Sequence, residues 1–255
     1  IDENRKVLYR MVESADVVLA SYKPGDAEKL GVDFGTLSSI NPRLIYGQVT
    51  GYGPDDDRVG YDAVIQAESG FMSMNGEADG EPLKMPVALV DVLAAHQLKE
   101  GLLMALMARM EDGKGRFVTV SLMDAALSAL ANQATNWLVG RKVPGRKGSL
   151  HPNIAPYGET FLTSDGKRVL LAVGTDKQFA SLCAMLGEPA LAFALEFTSN
   201  SDRVKNREDL GQRLSILFLA RKANEWLEEL HRLNIPAGEV RDVRQALQSE
   251  DASLL

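Results

Sequence analysis

The chain has 255 residues, of which 45% are hydrophobic and 25% are charged. These values are typical of globular proteins and exclude intrinsic disorder as the main state, and the length corresponds to one or two domains. The formal net charge of −7 comes from 28 basic and 35 acidic residues spread along the chain. A nucleic-acid-binding protein needs a broad basic surface, so we expect no DNA or RNA partner.

The cysteine and histidine content argues against disulfides and metal sites. Cys183 is the one cysteine in the chain, so an internal disulfide is impossible, and we expect a reducing, cytoplasmic compartment. The three histidines, His96, His151 and His231, lie far apart without the spacing of metal ligands, and we expect no bound metal. No uncharged apolar stretch reaches the roughly 18 residues of a membrane span, so we expect no membrane partner.

Short apolar runs predict buried strands in the first half of the chain. We predict strands at residues 16–20, 43–49, 87–90 and 117–120. We predict helices at residues 27–30, 34–40, 61–74, 92–110 and 122–138. A strand, a helical segment and a second strand in this order indicate a parallel crossover unit. The helix at residues 92–110 is apolar on nearly every face, which is typical of a helix buried inside a domain.

The composition changes at Gly140, where basic residues, glycines and a proline follow one another closely. This composition predicts a linker. Beyond it, residues 159–163 and 168–173 flank a turn that contains Gly166, which predicts a β-hairpin. Helical patterns follow at residues 177–186, 203–220 and 223–233.

Two aspartates and two lysines are the candidate functional residues that the pattern itself indicates. Asp91 stands between a predicted strand and a predicted helix, where open α/β sheets place ligands and where the helix dipole favours an ionised carboxylate. Aspartate is also a preferred N-cap, so the residues alone leave capping and catalysis both open for Asp91 and for Asp62. Lys23 and Lys29 flank a strand end, where they either neutralise a phosphate or remain solvated charges.

Several motifs, in order along the chain, are similar to those of one enzyme family. They are S-Y-K-P-G at 21–25, N-P-R-L-I-Y at 41–46, G-Y-D at 60–62, Asp91, G-K-G at 113–115, H-P-N at 151–153, and I-P-A-G at 235–238. This set resembles the family III CoA transferases, which include formyl-CoA and carnitine-type transferases. The resemblance covers essentially all of the chain.

By this resemblance, Asp91 matches the family's nucleophilic aspartate. Its carboxylate would attack the thioester carbonyl of an acyl-CoA, expel CoA thiolate, and leave an aspartyl acyl anhydride that an incoming acid or CoA opens. Backbone N–H groups at the start of the following helix offer stabilisation for the developing oxyanion. The implied substrates are an acyl-CoA thioester and a free carboxylic acid, for example a dicarboxylic acid such as succinate.

The resemblance also implies which residues bind the CoA moiety. A turn with an aromatic and basic groups would hold adenosine and its phosphates, and a second segment would approach the CoA arm near the nucleophile. The implied CoA-binding residues are Ser21, Tyr22, Lys23, Lys29, Tyr61 and Asp62. Many family members have a glycine where this chain has residues 94–96, and His96 stays unassigned.

The implied architecture is an α/β fold with a Rossmann-like large domain and a smaller α+β domain, in a homodimer of two interlocked rings. Residues 1–140 would form the central part of the large CoA-binding domain and residues 141–157 a linker. Residues 158–245 would form the small domain, and residues 246–255 the start of a returning linker. Family chains have further segments at both ends, so we expect this chain to be the middle of a longer protein.

Two alternatives to a transferase remain open. The racemase branch of the same superfamily typically has a His-Asp pair where this chain has Tyr61 and Asp62. A tyrosine is a poor general base at neutral pH compared with an imidazole, which favours acyl transfer over proton transfer. The other alternative is a non-catalytic subunit that binds CoA thioesters, and the aspartate at position 91 argues against it.

Overall fold

The computed structural model describes residues 2–249 and residue 252. The chain forms two compact units, with the division between Arg146 and Lys147. Each unit combines helices with its own three-stranded sheet. In the described residues, no helix is both long and apolar enough to cross a membrane.

The first unit is built on a parallel sheet. Its strands are β1 (Val17–Ala20), β2 (Ile45–Thr50) and β3 (Arg116–Ser121). Its helices are α1 (Asp2–Val12), α2 (Asp26–Leu30), α3 (Phe34–Ile40), α4 (Asp62–Glu68), α5 (Phe71–Met74), α6 (Leu89–Asp112), α7 (Leu122–Ser128) and α8 (Asn132–Leu138). The strands follow the order β1-β2-β3, and Leu19 pairs with Gly47, which pairs with Val118. The predicted parallel crossover is therefore confirmed.

Helix α6 packs on one face of this sheet at short range, because glycines lie at the points of contact. A Cβ atom at Gly101 of α6 would lie 2.6 Å from Cγ1 of Val118. On the sheet side, a Cβ atom at Gly47 would lie 3.1 Å from Cδ2 of Leu102. With 24 residues, α6 is about 36 Å long, and it ends at Gly113, which has a left-handed φ of 73°.

The start of α6 differs from the prediction. We predicted a strand at residues 87–90, and this prediction is wrong, because α6 begins at Leu89 and a loop precedes it. Val90 is fully buried because it packs against the core around Ile65, and an apolar run of this length does not distinguish a strand from the first turn of a buried helix. Asp91 consequently lies within the first turn of α6.

Three predicted helices are each interrupted once. The helix predicted at 61–74 is divided into α4 and α5 at Gly70, which has a φ of 93°. The helix predicted at 122–138 is divided into α7 and α8 near Ala131, which has a φ of 49°. In the second unit, the prediction at 203–220 divides at Asn206. A positive φ ends a right-handed helix, at low cost for glycine and only with tertiary support for alanine.

The second unit contains an antiparallel sheet covered by helices. Its strands are β4 (Tyr157–Leu162), β5 (Arg168–Ala172) and β6 (Ala237–Glu239), in the order β4-β5-β6. Its helices are α9 (Asp176–Met185), α10 (Asn200–Lys205), α11 (Arg207–Phe218), α12 (Ala223–Arg232) and α13 (Val243–Leu247), with a 3-10 turn at Pro189–Phe193. The predicted hairpin is confirmed, with Gly166 at a φ of 76° in its turn.

Aromatic residues form the centre of the second unit. The rings of Phe161 and Phe218 stack with their centroids 4.9 Å apart, and Trp226 donates its indole N–H to the carbonyl of Phe218 at 2.8 Å. Cys183 is buried in the same core, where burial raises its thiol pKa to about 12. This thiol therefore contributes to packing and stays protonated at neutral pH.

Two mid-helix glycines provide a matched test of the α6 packing. We expect Gly101→Ala to lower the free energy of unfolding by about 1–3 kcal/mol, because the clash of the new methyl group with Val118 costs more than the higher helix propensity of alanine contributes. Gly211 of α11 has open space around its Cβ position, so Gly211→Ala should raise the free energy of unfolding by about 0.5–1 kcal/mol. Urea unfolding followed by circular dichroism measures both, and a stabilised Gly101→Ala variant would show that the helix does not lie this close to the sheet.

Candidate active site

Asp91 lies on the wall of a cavity of about 750 Å³ in the first unit. Most of this wall is aliphatic and comes from β1, β2 and α6. The polar side chains on the wall, besides Asp91, are Ser21, Tyr61, Asp62 and Lys99. An apolar cavity with a few polar groups is the usual form of a small-molecule site.

Asp62 caps the helix that carries Asp91. One oxygen of its carboxylate, Oδ1, accepts a hydrogen bond from the backbone N–H of Val90 at 2.8 Å. The other oxygen, Oδ2, accepts from Nε2 of Gln66 at 2.6 Å. Helix α6 starts after Ala88, whose side chain makes no cap hydrogen bond, so Asp62 of α4 supplies the cap from a different helix.

The carboxyl group of Asp91 faces the cavity. Within the described part of the chain, no hydrogen bond to this carboxyl group occurs, and capping of α6 is done by Asp62. Partial burial raises the pKa of Asp91 above its usual value, and the negative charge of Asp62 raises it further. A carboxylate that is partly desolvated and not hydrogen-bonded is suited to attack an electrophile.

The segment before Tyr61 is a loop with a narrow base. Gly51 and Gly60 lie so close that a Cβ atom on Gly51 would lie 2.8 Å from Cα of Gly60. Within the loop, the guanidinium of Arg58 stacks on the ring of Tyr52 at 3.7 Å. Because Gly51 and Gly60 are in contact, the loop returns to the end of β2 where it started. Tyr61 follows there, beside the cavity, with 71% of its surface exposed.

The other predicted CoA-binding residues are spread over more than one surface. Ser21 shares the cavity of Asp91, whereas Lys23 lines a second cavity of about 370 Å³. This second cavity is also lined by Tyr46 and Gln48, which alternate along β2 with the residues that face α6. Side chains alternate between the faces of a strand, so the two cavities lie on opposite faces of the sheet.

Tyr22 and Lys29 line neither of these two cavities. Tyr22 is partly exposed, and its carbonyl accepts a weak hydrogen bond from Gln48 at 3.4 Å. Lys29 is exposed and pairs with Asp26 at 3.0 Å. The structure thus brings Ser21, Tyr61 and Asp62 together with Asp91, and it leaves the remaining predicted residues apart from them.

Sequence reasoning gave no role to two residues near Asp91. Gln66 contacts Asp62 four residues earlier on α4 and also Met85, which is 19 residues further along the chain. Lys99 follows Asp91 by eight residues on the same helix, and this spacing is a signal for a shared helix face. His96 is exposed, and its Nδ1 lies 3.0 Å from Nζ of Lys99. Residues 2–249 and 252 contain no group of three or more histidine, cysteine or acidic side chains that could hold a metal ion.

Comparison with known proteins identifies the family. The sequence model of CoA-transferase family III matches residues 1–253. The chain is 36% identical over 246 residues to the succinate–glutarate CoA-transferase of Agrobacterium fabrum, covering 95% of this chain and 61% of that protein. It is 34% identical over 247 residues to the acetyl-CoA:oxalate CoA-transferase of Acetobacter aceti, covering 95% of this chain and 63% of that protein.

A solved structure shows the same fold. The crystal structure of a CaiB/BaiF family protein from Brucella suis superposes with a TM-score of 0.87 and 38% sequence identity, covering 100% of this chain and 68% of that chain. The chain belongs to CoA-transferase family III. It spans about six-tenths of the length of the two curated relatives named above, 61% and 63% respectively.

The electrostatic coupling between the two aspartates is directly testable. We expect Asp62→Asn to lower the pKa of Asp91, because the substitution removes a neighbouring negative charge while the amide oxygen still accepts from the N–H of Val90. Carbon-13 NMR titration of the carboxyl groups, assigned with Asp91→Asn, measures this shift. Asp57→Asn in the exposed loop is the matched control and should leave the pKa of Asp91 unchanged. An unchanged or higher pKa in Asp62→Asn contradicts the coupling.

Proposed function

We propose that the complete protein is a CoA transferase that moves CoA between an acyl-CoA thioester and a free carboxylic acid, with Asp91 as the nucleophile. The observation that carries this proposal is that the two neighbouring aspartates have different contacts. Asp62 caps α6, and Asp91 is left with an unbonded carboxyl group in an apolar cavity. Membership in CoA-transferase family III supports the same reaction.

The proposed reaction stores first the acyl group and then CoA on Asp91. A carboxylate oxygen of Asp91 attacks the thioester carbonyl carbon, the C–S bond breaks, and CoA leaves as the thiolate with the electron pair. The thiolate then attacks the Asp91 carbonyl of the anhydride and releases the donor acid, which leaves an aspartyl-CoA thioester. The acceptor carboxylate attacks the carbonyl of this thioester and expels CoA thiolate, which forms a second anhydride. The thiolate then attacks the acceptor carbonyl of that anhydride and releases the carboxylate of Asp91, so the cycle needs no oxidant, reductant or net proton.

The surroundings of Asp91 support this chemistry. The mostly aliphatic wall reduces the hydration of the carboxyl group of Asp91, which favours its reaction with a thioester, although the cavity is open to solvent. The N–H of Val90 is engaged by Asp62. Stabilisation of the oxyanion by the helix therefore has to come from a donor other than this N–H.

The proposed CoA site runs from the cavity toward the turn after β1. Ser21, Tyr61 and Asp62 would face the pantetheine arm near Asp91, since they share its cavity. Tyr22, Lys23 and Lys29 would serve the nucleotide end, since they lie beyond the carboxyl edge of the parallel sheet, where α/β folds bind ligands. For the acyl groups, relatives named for succinate, glutarate and oxalate support a dicarboxylic acid.

The assembly and location of the complete protein are also part of the proposal. The parallel sheet of the first unit supports a Rossmann-like large domain, and the second unit supports a small α+β domain. Residues 1–140, 141–157, 158–245 and 246–255 keep the assignments given above. An interlocked homodimer, supported by the family resemblance, and a cytoplasmic location, supported by the single cysteine, are also proposed.

Trapping the covalent intermediate tests the role of Asp91. We expect full-length protein incubated with succinyl-CoA and quenched with hydroxylamine to carry a hydroxamate on the Asp91 peptide, because hydroxylamine attacks the activated aspartyl carbonyl. Peptide mass spectrometry locates the modification. Asp91→Ala should show no labelling and no exchange, whereas Asp79→Asn, on an exposed loop, should behave like the wild type. Labelling at another residue, or full activity of Asp91→Ala, would contradict the assignment, and CoA-thioester binding without any labelling would support a binding subunit.

Deuterium exchange separates acyl transfer from racemisation. Tyr61 is exposed and stands where a racemase typically has an imidazole, so we expect no rapid exchange at the α-carbon of a 2-methylacyl-CoA in heavy water. Mass spectrometry of the thioester measures deuterium uptake alongside acyl exchange to free acids. Rapid uptake without exchange to acids would replace the transferase proposal by the racemase alternative.

A further inference from the structure

Gln66 is a polar side chain in the core of the first unit. It lies on α4 and is fully buried, with 0% of its surface exposed. A buried amide costs free energy unless its donors and acceptors have partners. An aliphatic residue would fill the same space without that cost, so the contacts of the amide need an explanation.

Both ends of the Gln66 amide are used. Its Nε2 donates to Oδ2 of Asp62 at 2.6 Å, and its Oε1 accepts from the backbone N–H of Met85 at 2.8 Å. The same Nε2 lies 3.5 Å from the carbonyl of Val87. Gln66 therefore connects α4 to the segment of chain that leads into α6.

These contacts form a continuous path to the first turn of α6. The N–H of Met85 binds Gln66, Gln66 binds Asp62, and Asp62 accepts the N–H of Val90. The segment from 85 to 90 is thus held at both of its ends. Asp91 is the next residue, so its backbone position depends on this path.

The bond from Gln66 also selects the orientation of the Asp62 carboxylate. The amide holds Oδ2, and Oδ1 then accepts the N–H of Val90. The side chain of Ala88, the N-cap residue of α6, offers no acceptor for this N–H. Without the amide donor, the carboxylate is free to rotate toward water in the adjoining cavity. The first turn of α6 would then lose its cap.

We propose that Gln66 is a positioning residue for the nucleophile: it locks the Asp62 carboxylate onto the first turn of α6 and so fixes Asp91 against the substrate. This inference rests on the proposed role of Asp91 in acyl transfer. Gln66 acts through Asp62 and the backbone, and it has no place on the cavity wall.

Donor and acceptor chemistry gives a sharp test. Gln66→Glu keeps the size of the side chain and an acceptor for the N–H of Met85, but it places a carboxylate against that of Asp62. The double variant Asp62→Asn with Gln66→Glu restores the bond between positions 62 and 66 and keeps the bonds to Met85 and Val90, and it loses only the long contact with the carbonyl of Val87. Nδ2 at position 62 then donates to the carboxylate at position 66, and Oδ1 still accepts the N–H of Val90.

We expect Gln66→Glu to lower kcat of acyl exchange in the full-length protein by about 10- to 100-fold, the usual effect of losing a hydrogen bond to a charged group, with KM for acyl-CoA little changed. The kcat of the double variant should be at least about 10-fold higher than that of Gln66→Glu, because a hydrogen bond to a charged group is restored. Gln212→Glu, at an exposed position of α11, is the control for the added charge and should keep wild-type kcat.

The pKa of Asp91 provides a readout that does not depend on activity. The titratable side chains on the cavity wall with Asp91 are Tyr61, Asp62 and Lys99. Gln66→Glu adds a second carboxylate beside Asp62 and should raise the pKa of Asp91 above that of the wild type. The double variant keeps one carboxylate in this pair and should return the pKa toward the wild-type value.

The outcomes separate this inference from the proposed function. Wild-type kcat in Gln66→Glu together with a raised pKa of Asp91, which reports that both carboxyl groups are ionised, would overturn the positioning role, and so would a double variant no better than the single one. If the pKa of Asp91 stays at its wild-type value, the two carboxyl groups share a proton that keeps the bond, and Gln66→Met decides. If Gln66→Glu does not fold, Gln66→Met replaces it, because it fills the space without hydrogen bonds: we expect a comparable loss of kcat in a folded protein, and wild-type kcat would overturn the inference. If the wild type shows no acyl exchange, the proposed function fails, and the pKa of Asp91 in the single and double variants still decides whether Gln66 and Asp62 act as a pair.

Discussion

The close approach of α6 to the parallel sheet determines where the candidate nucleophile stands. Gly101 on the helix leaves room for the side chain of Val118, and Gly47 on the sheet leaves room for the side chain of Leu102, so the helix lies close to the sheet. The first turn of α6 packs in the same cluster as Val49 and Val120, near the carboxyl ends of β2 and β3. Ligands of parallel α/β sheets bind at this edge, so the packing of one helix places Asp91 where a substrate can reach it.

Two aspartates divide the tasks that one aspartate at a helix start could otherwise combine. The carboxylate of Asp62 accepts hydrogen bonds from Val90 and Gln66 and thereby stabilises the start of α6. Asp91 keeps its carboxyl group in the cavity and has a raised pKa, mainly from partial burial and further from the charge of Asp62. The contacts therefore assign the capping of α6 to Asp62 and leave the carboxyl group of Asp91 available for the catalytic role that we propose.

Much of this arrangement is predictable from sequence, and the failures have physical causes. Five of the six strands that the structure describes lie at predicted apolar runs, and the hairpin turn follows from Gly166. Strand β6 was not predicted, because its residues Ala237–Glu239 include no β-branched or aromatic side chain and form a strand by pairing with β5. The run at 87–90 was misassigned because burial of Val90 comes from helix packing, which an apolar pattern does not distinguish from a strand. The interruption at Ala131 and the bond from Met85 to Gln66 depend on tertiary structure, and no local pattern encodes them, whereas the pair of Asp62 and Gln66 has the i,i+4 spacing of one helix face. Asp91 and Asp62 stood out because they precede or begin helices, whereas the scattered positions of Tyr22, Lys23 and Lys29 appear only in three dimensions.

Oxygen-18 transfer tests the covalent role of Asp91 most directly. Full-length protein turns over succinyl-CoA with an acceptor acid whose carboxylate carries oxygen-18, and the Asp91 peptide is then weighed by mass spectrometry. If the acceptor forms an anhydride with Asp91 and CoA thiolate then attacks the acceptor carbonyl, one labelled oxygen stays on the aspartate at each cycle. The account predicts an Asp91 peptide heavier by one or two oxygen-18 substitutions after many turnovers. Product formation with an unlabelled Asp91 peptide would show that CoA passes between the acids without this residue.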